Sequence, residues 1–171
     1  MEFLKKLDQG LVKAEEWILS YSIILIVIMI VGNTISREVF GSSWSFYMEV
    51  SRFAVTVATF MGISYAARKG RHISMTAFYD LAPFPIRKTL AILIPFVTAI
   101  VLFTLAFFGY QYFMTMVDSG QVTTALRVPV YFFAVIVPIG LFFGGIQYLR
   151  NMWVNIREKD VYLAEDRKDY S

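Results

Sequence analysis

Apolar residues fall into long runs at about 17–40, 46–67, 89–116 and 128–150, separated by short polar stretches. Each run reaches or exceeds the roughly 20 residues that a helix needs to cross a bilayer. None alternates with the period of two expected of a membrane β-barrel strand. The pattern predicts an all-α integral membrane protein, a single membrane domain over 1–171 with four transmembrane helices. The first run is too long for a signal peptide and closes on Gly32-Asn33-Thr34, so a retained span is expected. In the fourth, Pro129 suits a first turn and Pro138 a kink.

Two short stretches carry a different pattern. Within 1–15, Phe3, Leu4, Leu7, Leu11 and Ala14 share one helical face, and Lys5, Lys6, Asp8, Gln9 and Lys13 fill the rest. That is an interfacial amphipathic helix. A second amphipathic segment is expected from Ile73 to Leu81, after the basic cluster Arg68-Lys69-Gly70-Arg71, with Pro83 and Pro85 ending it. The tail, 157–171, is charged and expected to be solvated.

Composition agrees with the pattern. Of 171 residues, 57% are apolar and 17% charged, against about 25% charged in a soluble domain; the mean hydropathy is +0.58. A net charge of +3 without a basic patch gives no footprint for nucleic acid. There is no cysteine and one histidine, His72, so thiolate chemistry, sulfur-ligated metals and a bis-histidine haem are excluded. No cofactor is expected.

Of the 16 lysines and arginines, only Arg37, Arg52 and Arg127 belong to one side of the predicted spans. The positive-inside rule then puts both termini and the 68–88 loop in the cytoplasm, in a bacterial inner membrane. Trp17 and Trp153 fall near the inner interface, Trp44 and Tyr112 near the outer one, as aromatic belts do.

Ionisable groups within spans mark function or a structural pair. Arg37 lies about one turn before the end of the first span and Glu49 about one turn after the start of the second. Across the short connection 41–45 they are expected to neutralise each other. Arg52, three residues beyond Glu49, is deeper by about 4.5 Å and leaves a positive excess. A lipid phosphate, an acid of another subunit or Glu38 would balance it. The other reading of Glu49 is a proton- or cation-coupling carboxylate in a self-sufficient small transporter.

Small residues add a packing signal. Ala54, Ala58, Gly62, Ala66 and Gly70 recur every fourth residue, and Gly140 and Gly144 repeat the spacing. Such ridges let helix backbones approach closely in lipid, within the chain or against a partner. No phosphate-binding glycine loop with its lysine is present, which excludes ATP hydrolysis by this chain. Neither a catalytic constellation nor an inverted repeat with broken helices is found.

Asn33, Arg37, Phe40, Trp44, Glu49 and Arg52, followed by Gly62, Ala66, Gly70, His72 and Ile73, resemble the signature of the small membrane subunit of tripartite ATP-independent periplasmic (TRAP) transporters. The resemblance covers nearly the whole chain. It implies an accessory subunit bracing the static scaffold of a large elevator-type subunit. That subunit imports an organic anion, a carboxylate or sialic acid, on a sodium gradient after delivery by a periplasmic binding protein. It further implies that substrate and sodium sites lie in the large subunit and that Arg37, Glu49, Arg52 and Trp44 are structural. Contact with the docked binding protein is expected at 41–46 and 117–127. Membrane phospholipids complete the expected partners, and His72 is expected at the cytoplasmic interface.

Overall fold

The computed structural model describes residues 2–69, 83–157, 162–164 and 167–168. His72, Gly70 and the proposed segment 73–81 lie outside them, as do the side chains of Phe3, Leu4, Leu7 and Leu11. The described chain forms α1 (Glu2–Phe40), α2 (Tyr47–Lys69), α3 (Phe84–Ser119), α4 (Tyr131–Ala134) and α5 (Ile136–Arg157). A small antiparallel hairpin of β1 (Tyr162–Ala164) and β2 (Arg167–Lys168) follows. Among the described residues, four spans are long and apolar enough to cross a membrane: Lys13–Phe40, Tyr47–Ala67, Pro85–Ser119 and Tyr131–Arg157. The fold is an all-α membrane protein.

Helix boundaries depart from the sequence reading in instructive places. The amphipathic segment and the first span are one unbroken helix of 39 residues, about 58 Å long. No proline separates them, and the junction Val12-Lys13-Ala14-Glu15-Glu16 is rich in good helix formers. Pro83 and Pro85 stand at the start of α3, where a missing N–H costs nothing in the first turn; the segment they are expected to end lies outside the described residues. Pro138 acts as expected. It leaves the carbonyl of Ala134 without its helical donor, and the helix breaks at Val135 between α4 and α5. In the tail the backbone pairs Tyr162 with Lys168 and Ala164 with Arg167, an element the charge pattern did not announce.

The spans stand in a row. α1 packs on α2, α2 on α5, and α5 on α3, so the first and third spans occupy the two edges. No comparable contact joins α1 to α3 or to α5 among the described residues. A row exposes far more helix surface than a closed bundle: on α1, Val27 is 53% exposed and Val31 49%; on α3, Val101 is 50% and Phe107 59%. In lipid such flanks carry no hydrophobic penalty.

The core sits where α2, α3 and α5 meet. Leu102, Ala106 and Leu141 are buried against Phe60, Ile63, Val137 and Tyr148. α5 meets α2 through glycine: a Cβ on Gly140 would lie 2.5 Å from the Phe60 carbonyl oxygen. Gly144 meets Ile63, and the Phe103 ring lies over Gly145. The expected small-residue contact of the fourth span is therefore made inside the chain.

Candidate functional site at the turn end

The α1–α2 turn and the α3–α4 loop share one end of the row, opposite the termini. α1 stops at Gly41, whose φ of +65° is open to glycine. Its N–H donates to the Arg37 carbonyl at 3.1 Å, a left-handed cap. The chain then folds back along α1. The Ser36 hydroxyl donates to the Ser42 carbonyl at 2.9 Å. Asn33 Oδ1 accepts both the Ser43 hydroxyl at 2.9 Å and the Trp44 N–H at 2.8 Å. Asn33 is 5% exposed, so one buried amide oxygen holds the returning strand. Trp44 lays its ring over Gly32, where a Cβ would lie 2.8 Å from the indole, and stacks on Phe46 at 6.0 Å. Gly32 and Asn33 thus do not break the helix: one makes room for an indole and the other accepts two hydrogen bonds.

Glu49, in the first turn of α2, faces the other connection. Its Oε1 accepts the Ala125 N–H at 2.6 Å and its Oε2 the Leu126 N–H at 2.9 Å. Successive backbone N–H groups make a concave anion site, and a carboxylate near a helix N-terminus also complements the helix dipole. The loop is itself a narrow hairpin. The Thr123 N–H donates to the Val128 carbonyl and the Val130 N–H to the Gln121 carbonyl, each at 2.9 Å. Arg127 turns the tip with φ +53°, a conformation uncommon for a residue with a Cβ and held here by the surrounding bonds.

The expected Arg37–Glu49 pair does not form. Asn33 sets Trp44 level with itself, so Arg37 stands beyond the start of α2 while Glu49 runs inward from it. Counted along the two helices, they differ in depth by about 10 Å. Arg37 instead pairs with its neighbour Glu38 at 3.2 Å, both side chains more than 60% exposed; such a pair contributes little. Arg52 does not share the Glu49 carboxylate either. Its Nη2 reaches back to Met48 Sδ at 3.5 Å on an exposed face. The three charged residues therefore form no single network.

A polar cluster unannounced by the sequence pattern braces the opposite, terminal end. The Ser64 hydroxyl donates to Glu15 Oε1 and the Tyr65 hydroxyl to Glu16 Oε1, both at 2.8 Å, joining α2 to α1. Asn151 Nδ2 donates to the Ala67 carbonyl at 3.0 Å, and Asn155 Nδ2 to the Asn151 carbonyl at 3.0 Å. Ser64 and Asn155 are each 1% exposed. A signal was present: Gln147, Asn151 and Asn155, all buried, continue the face of Gly140 and Gly144 at steps of three and then four residues.

The ridge on α2 is divided. Ala54 is buried, whereas Ala58, Gly62 and Ala66 are half-buried. Gly62 faces Leu19 of α1 with room for a Cβ at 3.7 Å. Trp17 and Trp153, expected at an interface, are 61% and 63% exposed. Among the described residues no group of His, Asp or Glu is placed to hold a metal ion.

Comparison with known proteins bears on this arrangement. Residues 26–158 match the family described as tripartite ATP-independent periplasmic transporters, DctQ component. The chain is 38% identical over 161 residues to the ectoine TRAP transporter small permease protein TeaB of Halomonas elongata, covering 94% of this chain and 83% of that protein. It is 28% identical over 101 residues to the sialic acid TRAP transporter permease protein SiaT of Haemophilus influenzae; that stretch is 59% of this chain and 16% of the much longer relative.

Proposed function

This chain belongs to the DctQ component of the tripartite ATP-independent periplasmic transporters, and from that membership we propose that it is the bracing subunit of a sodium-driven importer. The family makes it a small permease subunit of a transporter and not an enzyme. In the proposed role it lies against the static scaffold of a large elevator-type subunit, in the inner membrane, with both termini cytoplasmic. It lends that scaffold apolar width and leaves solute and sodium to the larger partner.

The observation that carries this reading is the single-file packing. Neighbouring spans are closed on one another, Gly140 against the Phe60 backbone and Gly145 beneath Phe103. Their two outer flanks are apolar and open. A row of helices has no interior to enclose a path, yet it has two broad sides to offer a neighbour and the lipid. Coupling by Glu49 is disfavoured, because both its oxygens are engaged by backbone N–H groups. A carboxylate that relays protons needs freedom to exchange them.

The proposed partners are the large membrane subunit, a periplasmic binding protein docking transiently on the turn end, and phospholipids on the free flank. The solute is proposed to be a small organic molecule chosen by the other subunits. Relatives are named for two different ones, ectoine and sialic acid, which supports a small subunit indifferent to cargo. The test is reconstitution. Liposomes holding this chain alone should take up no solute, and adding the large subunit and binding protein should restore sodium-dependent uptake. Uptake by the chain alone overturns the proposal.

A further inference from the structure

Met48, Arg52, Val55 and Thr59 recur at the spacing of one helix face along α2, and all are exposed. The positions that flank the stripe are taken: Leu19 of α1 lies against Gly62 on one hand, and Gly140 and Gly144 of α5 lie against Phe60 and Ile63 on the other. The stripe therefore looks out from one broad side of the row.

Among the described residues, Arg52 meets a weak thioether acceptor and no carboxylate, and Thr59 meets no polar partner. Arg52 lies five residues into the Tyr47–Ala67 span, about 7.5 Å along the helix. Among the described residues no carboxylate pairs with it, and the Met48 thioether at 3.5 Å is a weak acceptor. An arginine at this depth is retained where an anion faces it. Thr59 is a second, independent sign. Thr34, Thr56, Thr98, Thr104 and Thr115 each donate to the carbonyl four residues back. Thr59 makes no hydrogen bond among the described residues. It lies deeper than Arg52 by about 10.5 Å, far from any headgroup. A lipid phosphate can neutralise Arg52, but it cannot also reach Thr59. A protein surface meets both.

We infer that this stripe is the docking surface for the large membrane subunit, with Arg52 paired to a carboxylate of that subunit and Thr59 bonded to one of its polar groups. The inference rests on the bracing role proposed above. A relative that carries its matched stretch as 16% of one longer permease protein supports a large neighbour for this region. The guanidinium fork matches a carboxylate with two parallel bonds, giving register as well as attraction. Val55 between the two polar residues offers an apolar packing contact to a neighbouring helix.

The chain has no cysteine, so a single thiol is a clean probe. A benzophenone attached to Val55→Cys or Thr59→Cys should capture the large subunit when the purified complex is irradiated. Arg52→Glu should lower retained large subunit by at least about ten-fold, and Arg52→Lys should keep most of it. Helicity and Tm of the isolated chain should be unchanged in both. Benzophenone adducts confined to lipid in an intact complex would overturn the inference, and so would Arg52→Glu that keeps the large subunit but loses bound phospholipid. Those results leave the bracing role standing. Failure of the unaltered chain to retain any large subunit overturns the role itself.

Discussion

The Trp44 N–H and the Asn33 side-chain oxygen meet at 2.8 Å, and this bond sets the register of the first two spans. It draws residue 44 level with residue 33, so α1 projects past the start of α2 and carries Arg37 clear of Glu49. One amide oxygen thereby decides which charges meet. Asn33→Ala leaves a partly buried N–H and a hydroxyl without their acceptor, a loss of about 1–3 kcal/mol. Asn33→Asp keeps the acceptor and should retain most of the stability. Tm of the two variants in detergent is the measurement, with alanine the lower.

Glu49 fastens the α3–α4 loop to α2 by two backbone bonds. Glu49→Gln keeps the shape but offers one acceptor where the loop presents two donors, and it sets an NH2 against an N–H. Amide exchange at Ala125 and Leu126 should quicken by roughly ten-fold, while the α2–α5 contact stays protected. Binding of the periplasmic partner should weaken with the loosened loop, and assembly with the large subunit should not. Loss of assembly with an unchanged loop would show that Glu49 serves a different contact.

Much of this was legible from hydrophobic length alone, because a helix in lipid must satisfy its own backbone and needs about 20 apolar residues to cross. Pro138 announced its break for the same local reason: its missing N–H acts on Ala134 in its own helix. What escaped the sequence was relative depth. Counting outward from the turn gave Arg37 and Glu49 similar depth, yet a turn that folds back along α1 shifts the count, and only the Asn33 bond reveals the shift. The Glu15–Ser64 and Glu16–Tyr65 bonds escaped for a related reason. Each needs the α1–α2 register, and an acid near a predicted interface reads as solvated until its neighbour is known.

Two glycines of similar appearance should respond oppositely to a methyl group. At Gly140 the new Cβ would meet the Phe60 backbone at 2.5–2.7 Å, and backbone cannot step aside, so α2 and α5 must part. Gly140→Ala should cost about 1–3 kcal/mol. At Gly62 the nearest atom is Leu19 Cδ2 at 3.7 Å, ordinary contact, and alanine is the better helix former. Gly62→Ala should leave Tm unchanged or raise it. Comparing the two midpoints checks the packing directly.

The two ends of the α1–α2 pair should differ in coupling. At the terminal end the Ser64 hydroxyl, almost fully buried, donates to a carboxylate of α1. A cycle of Glu15→Gln, Ser64→Ala and both together should show coupling of about 1–2 kcal/mol. At the turn end Arg37 and Glu49 have separate partners. Arg37→Glu and Glu49→Arg should therefore add without rescue: reversing both charges restores nothing, because no pair existed to invert. Strong rescue at the turn end would mean that the two side chains do meet in the membrane, with α2 drawn toward the turn by about two turns of helix. That shift would also break the bond from Trp44 to Asn33, so the Asn33→Ala variant measured in the same series distinguishes a moved helix from an unmoved one.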